Sequence, residues 1–162
     1  LQSGAHFISA RVAARNGNVQ IMEALLGKGA NVHALDEFGR TALHAAVYAD
    51  QAQAVSLLLQ NGARADAKHL KGSTLLHHAA MRNDHAVVRA LIGAGADVNA
   101  KSDSGWTPLH HAGALCLEDM TKLLVDHGAD RHARDRHGKE PLSCYIGANK
   151  PEPARIVVAS CR

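Results

Sequence analysis

The sequence predicts an all-α fold, a solenoid of about five helix–turn–helix repeats with short β-hairpin loops. Three observations predict it. Gly39, Gly72, Gly105 and Gly138 are each 33 residues apart. Gly29, Gly62, Gly95 and Gly128 keep the same 33-residue spacing, and each is followed by Ala. Between the two series, Thr41-Ala42-Leu43-His44, Thr74-Leu75-Leu76-His77 and Thr107-Pro108-Leu109-His110 fall in one slot. A fixed period of roughly 20–50 residues marks units that bury their apolar faces only against neighbouring copies of themselves.

The chain is read as one domain of five units. Repeat 1, residues 5–35, is an N-terminal cap: Ile8-Ser9-Ala10-Arg11 stands in the T-x-L-H slot. A terminal repeat meets solvent on one side, so Arg11 in the histidine position fits. Repeat 2, residues 36–68, places Thr41 to cap its first helix. Ala45-Ala46 keep that helix thin. Ala54, Val55, Leu58 and Leu59 give the second helix an apolar stripe. Gly62 then ends it, where a left-handed residue is needed. Repeat 3, residues 69–101, repeats the design with Thr74, Ala79-Ala80, Val87-Val88 and Leu91-Ile92. Asp50 and Asn83 align with Gly17 in the turn between helices, and both tolerate a positive φ. Repeat 4, residues 102–134, puts Cys116 in that glycine slot and Gly113 where Ala80 stands, so its first helix is expected to loosen. Repeat 5, residues 135–162, is the C-terminal cap, with Pro151-Glu152-Pro153 opening a last helix that Ile156, Val157 and Val158 make apolar.

These motifs resemble the ankyrin-repeat family over nearly the whole length. Thr107-Pro108-Leu109-His110 matches its signature fully, and residues 95–100, Gly-Ala-Asp-Val-Asn-Ala, match its hairpin arm. The last repeat is similar in wording to that of some ankyrin-bearing Arf GTPase-activating proteins. The resemblance implies that His44, His77 and His110 are structural, each bonding to a hairpin and to its capping threonine, Thr41, Thr74 or Thr107. It implies a concave binding surface built from hairpin tips and the exposed side of the short helices. It also makes Asn99, with Leu91, Asp97 and Val98, a candidate for asparaginyl hydroxylation.

Carried over by alignment, the binding surface takes Phe38, Arg40, Tyr48, Lys71, Ser73, Met81, Arg82, Asp103, Trp106, Leu115 and Lys139. The wider set adds Arg15, Asn16, Leu35, Glu37, Ala49, Lys68, Leu70, Lys101, Ser104, Ala114, Arg134, Arg136 and His137. It holds nine Lys or Arg and two acids, against 18 and 15 in the chain, so positive charge concentrates there. Trp106, the single tryptophan, is expected to face solvent for binding, the alternative being that it leans on the neighbouring hairpin.

Composition narrows the function. Aromatics are 3%, so alanine and leucine carry burial. A net charge of +3 is only mildly basic, and no nucleic-acid motif accompanies it. Cys116, Cys144 and Cys161 have no paired or ligand spacing, which points to an intracellular, cytoplasmic or nuclear setting. No membrane span or signal peptide is visible. Of twelve histidines, neither His77-His78 nor His110-His111 can chelate one ion as helix neighbours, and His127, His132 and His137 lack partners. No metal, cofactor or small-molecule substrate is expected. Phosphate-loop, H-E-x-x-H and G-x-S-x-G motifs are absent, so the domain is read as no enzyme.

The reading is a monomeric protein–protein interaction module that binds an acidic, apolar-anchored segment of a partner on the concave face. The alternatives are a non-catalytic domain of a larger enzyme, such as a GTPase-activating protein or ubiquitin-pathway component, and nucleic-acid binding through the basic face. The chain starts at Leu1 and stops where another hairpin would begin, and it reads as a piece of something longer.

Overall fold

Repeats 2 to 4 each contribute two helices of unequal length, and the sequence dictates both lengths. A computed structural model describes residues 10–68 and 70–141, with Leu70 described in its backbone only. The start of repeat 1 before Ala10, and Ser143, Cys144, the Pro151–Pro153 opening, the Ile156 patch and Cys161 of repeat 5, lie outside the described residues. Helix α1 is seen at residues 10–15, followed by α2 (Val19–Gly27), α3 (Ala42–Tyr48), α4 (Ala52–Gln60), α5 (Leu75–Met81), α6 (His85–Gly93), α7 (Pro108–Ala114) and α8 (Glu118–Asp126).

The first helices α3, α5 and α7 are seven residues long because both ends are fixed. Thr41, Thr74 and Thr107 each form a capping box with a histidine three residues on. At the other end Asp50, Asn83 and Cys116 take positive φ values of 55°, 60° and 56°, the conformation Gly17 adopts at 67°. A positive φ reverses the chain and stops the helix. Contrary to expectation, Gly113 and Cys116 do not shorten α7, which spans the same seven positions as α3 and α5. The Thr107 cap and Pro108 in the first turn hold its start, and buried Ala112 and Gly113 hold its end against neighbours.

The nine-residue second helices end on the glycine series. Gly95, at φ 88°, lets Ala96 N–H return to the Leu91 carbonyl at 3.0 Å, and Gly29, Gly62 and Gly128 copy this stop.

First helices stack on first helices (α3 on α5, α5 on α7) and second on second (α2 on α4, α4 on α6). The period therefore becomes buried columns: Leu43, Leu76 and Leu109; Ala46, Ala79 and Ala112; Leu58, Leu91 and Leu124. Each such leucine contributes about 1.5–3 kcal/mol by leaving water. The hairpins are bent rather than stranded. Among the described residues they carry one isolated antiparallel bridge, Lys68 with Thr74. Elsewhere two backbone bonds close each tip: Asp36 N to the Arg40 carbonyl (2.9 Å) with Gly39 N to that of Asp36 (3.0 Å), Ser102 N to that of Trp106 (2.9 Å) with Gly105 N to that of Ser102 (2.9 Å), and Asp135 N to that of Lys139 (3.0 Å) with Gly138 N to that of Asp135 (3.0 Å). Neighbouring tips touch through backbone: a Cβ on Gly105 would lie 2.9 Å from Arg136 N.

Candidate functional site

The histidine rings join one repeat to the next hairpin. His77 Nδ1 accepts from Thr74 N–H (3.1 Å) and meets Thr74 Oγ1 (2.9 Å), while Nε2 donates to the Trp106 carbonyl (2.9 Å). His110 repeats this with Thr107 (3.0 and 2.8 Å) and the Lys139 carbonyl (3.1 Å). His44 makes the same Thr41 contacts at 3.1 and 2.9 Å. In His77 and His110 one ring nitrogen faces a donor and the other a carbonyl, so the network assigns a neutral ring with its proton on Nε2. Burial lowers both pKa values further, against the opposing pull of those carbonyls.

Beside these rings runs a second, half-buried row. Tyr48 meets His78 edge-on at 4.5 Å, and His111 meets His77 at 5.8 Å and Trp106 at 4.9 Å. Desolvation pushes His111 down to about 4, helped by repulsion from His77, His110 and His78. Burial raises the Tyr48 pKa, with Arg40 opposing.

Trp106 is only half exposed, which corrects its expected solvent-facing position. Its indole N–H bonds Asp135 Oδ2 at 3.2 Å and its ring stacks on His110 at 5.9 Å. A flat side chain of that length reaches the next turn while its neighbour's imidazole covers one face.

Asp36 and Asp135 hold the hairpin tips. Asp36 Oδ1 accepts from Phe38 and Arg40 amides (both 2.9 Å), and Asp135 Oδ1 from His137 and Lys139 amides (2.8 and 2.9 Å). Burial would raise the Asp36 pKa, but these bonds and the Arg40 guanidinium hold it at about 2. Bonds from Lys139, then His137 and Trp106, lower Asp135 against its desolvation.

Two predicted basic groups are paired. Arg40 binds Asp36 at 2.8 Å and lies 4.7 Å over the Phe38 ring. Arg82 forms an ion pair with Asp50 of the preceding repeat. Asp36 and Asp50 stand outside the set whose charges the sequence counted, so its positive excess is overstated. Lys71 is exposed at φ 61°, and its carbonyl receives the Asp103 amide at 2.9 Å. Ser73 is half-buried, and Lys139 is exposed. The sequence reading missed the Arg82–Asp50 and Arg11–Asp36 pairs; for the first, opposite charges 32 residues apart, nearly one period, were the available signal, and the second, 25 residues apart, had none.

Six large apolar side chains are exposed among the described residues. Phe38 (64%), Leu35 (62%), Leu115 (52%) and Met81 (41%) are at predicted surface positions, whereas Val12 and Ile21 are elsewhere. Asn99 bridges repeats: its Nδ2 donates to the Gly128 carbonyl (3.0 Å) and its Oδ1 accepts from Asp130 N–H (2.7 Å). Among the described residues no three His, Cys, Asp or Glu side chains converge as metal ligands would. His127 Nδ1 instead donates to the Leu123 carbonyl at 2.8 Å, and His132 sits 3.4 Å from Glu140. No helix among these residues is long and apolar enough to cross a membrane.

A family model described as ankyrin repeats (3 copies) matches residues 11–102 and 76–159. No curated protein matches the chain.

Proposed function

Because the chain belongs to the ankyrin-repeat family, we propose that it binds an acidic, apolar-anchored segment of another protein along its hairpin and short-helix face. Ankyrin repeats are generally protein–protein interaction modules and typically non-catalytic. The observation that supports the finer reading is exposure: Leu35, Phe38, Met81 and Leu115, four of the positions that alignment assigns to that face, are exposed apolar groups. Such side chains have no folding reason to meet water, and together they offer anchors for a partner. Lys71, Lys101 and Lys139 border them and favour encounter with acidic chains. Pairing of Arg40 and Arg82 with acids weakens the case for nucleic acid, which needs a row of uncompensated cations. The module acts as a monomer inside the cell.

The test is a display library of acidic peptides with apolar anchors, screened against the wild type and a Phe38→Ser, Met81→Ser, Leu115→Ser variant. The variant should retain its melting temperature and lose roughly a hundredfold in affinity for the selected peptides. Equal binding by both proteins would place the contact elsewhere.

A further inference from the structure

We infer that the pocket framed by Arg11, Arg15, Arg40 and Tyr48 receives a phosphorylated side chain of the partner segment, an inference that rests on the protein-binding reading above. The pocket lies at the N-terminal end of the same face and encloses about 350 Å³. Arg11 and Arg15 come from α1, one helical turn apart, and so share a side of that helix. Arg40 enters from the first hairpin and Tyr48 from the end of α3. Ala45 and Ala49 complete the wall, and their small side chains leave the space open.

Charge and hydrogen bonding select the ligand. One acid is bound to this cluster, Asp36, whose Oδ2 takes Arg11 Nη1 at 2.9 Å and Arg40 Nη2 at 2.8 Å. Asp36 is ionised at neutral pH, and arginine does not lose its proton. Three guanidiniums against one carboxylate leave an excess of two positive charges. Arg15 is exposed and makes no ion pair among the described residues. A phosphomonoester brings about −1.5 to −2 charge and three acceptor oxygens, which matches the excess of two positive charges. A side-chain carboxylate brings one charge and two oxygens. Guanidinium forks suit phosphate geometry, and clustered arginines are a recurring way to read phosphorylated segments.

The arrangement is confined to one end of the stack. Arg11 occupies the slot of His44, His77 and His110, and Arg15 that of Tyr48, Met81 and Ala114. A segment lying along the face therefore sets its phosphorylated residue on repeats 1 and 2 and its apolar anchors towards Met81 and Leu115.

The probe is N-acetylphosphoserine N-methylamide, compared with its aspartyl analogue and with inorganic phosphate by NMR of arginine side-chain and backbone amides. Saturable shifts at Arg11, Arg15 and Tyr48 are expected, with the phosphoserine probe binding at least about tenfold more tightly than either comparator. Arg15→Glu, on an exposed position that leaves the Asp36 pairs intact, should abolish the shifts, and Trp106→Ala should leave them unchanged. Absent shifts, shifts elsewhere, or unaltered binding to the Arg15→Glu protein would overturn the inference. So would equal binding of the aspartyl analogue, which would define a carboxylate pocket, or of inorganic phosphate, which would define a free-anion site. A silent probe alongside peptides that still bind would remove the pocket and leave the protein-binding reading standing. A bound probe with no peptide binding in the library would overturn that reading, and with it the partner named here.

Discussion

The indole N–H of Trp106 bonds Asp135 Oδ2 at 3.2 Å, so the side chain at the tip of one hairpin holds the carboxylate that shapes the next. Trp106 therefore joins repeats 4 and 5 as well as lining the proposed surface. Trp106→Ala should lower the melting temperature by a few degrees, since about 1 kcal/mol shifts a domain of this size by roughly 2–4 °C. It should also cost about 2 kcal/mol or more of partner binding if the indole is a contact. Trp106→Phe keeps a ring beside His110 and loses the N–H, so it should fall between. An unchanged melting temperature for Trp106→Ala, by scanning calorimetry, would deny the coupling.

His77 is a structural tie with partners on both sides. His77→Ala removes a buried ring and strands the Thr74 amide and hydroxyl and the Trp106 carbonyl. A loss of about 3 kcal/mol is expected from the cavity and the orphaned groups. His85 is the control: it donates from Nδ1 to the Asn83 carbonyl at an exposed site (3.0 Å), and His85→Ala should stay within about 0.5 kcal/mol. Denaturant midpoints that fall equally for both would refute the assignment.

The same rings make stability depend on pH. The folded pKa values of His77 and His110 lie below the ordinary 6.5, and that of His111 is about 4. The unfolded chain then binds protons first as pH falls. The stabilising contribution is complete above 6.5 and drains away as pH drops towards about 4. Protonation also puts a hydrogen on Nδ1 opposite the Thr74 or Thr107 N–H. Asp36 acts lower: its contribution is present above 3.8 and fades only as pH approaches 2. Unfolding free energy should therefore fall as pH drops from 6.5 towards about 4, and His111→Asn should flatten that slope. A flat profile in the wild type would contradict the neutral-ring network.

Much of this was legible because a repeat converts spacing into position. The columns of Leu43, Leu76 and Leu109 and the positive φ of Asp50 and Asn83 follow from alignment alone. The side-chain reach of variable residues does not. Trp106 looked outward because its column holds Arg40 and Ser73, yet the indole is long enough to meet Asp135, 29 residues on. Counting charges within the surface set does not reveal counter-ions outside it, here Asp36 for Arg40 and Asp50 for Arg82. The pocket at Arg11 depends on a terminal repeat departing from the pattern, where the period gives no guidance.

Cys116 carries an avoidable strain. Its φ of 56° matches that of Gly17, but a side chain in the left-handed region costs roughly 1–2 kcal/mol. Glycine would relieve it, while widening the unfolded ensemble and giving part of the gain back. Cys116→Gly should stabilise by a net ~0.5 kcal/mol, and Cys116→Val should destabilise, because β-branching worsens a positive φ. Gly95→Ala, at φ 88° with open space around it, tests the converse. It should destabilise through the backbone alone. A stabilised Cys116→Val protein would show that packing governs this turn.

Asn99 is tied at both ends of its amide. Its Nδ2 donates to the Gly128 carbonyl and its Oδ1 receives Asp130 N–H, while its own amide bonds Asp97 Oδ1 at 2.9 Å. The side chain thus bridges the hairpin arms of repeats 3 and 4. Asn99→Ala leaves two backbone groups without protein partners at a half-exposed site where water can reach them, so a loss of about 1–2 kcal/mol is expected. Asn99→Asp should be worse than an isosteric swap implies, because a carboxylate opposite the Gly128 carbonyl has no proton to donate. The bridge bears directly on the proposed hydroxylation. A purified asparaginyl hydroxylase must draw this hairpin out before it reaches the Asn99 β-carbon, so the opening equilibrium sets the rate. Gain of one oxygen at Asn99, read by mass spectrometry, should be slow in the wild type. It should quicken in a His77→Ala variant, where the repeat 3–4 tie through the Trp106 carbonyl is lost. No oxygen gained in either protein under conditions that modify a control substrate would dismiss Asn99 as an acceptor and leave it a structural bridge.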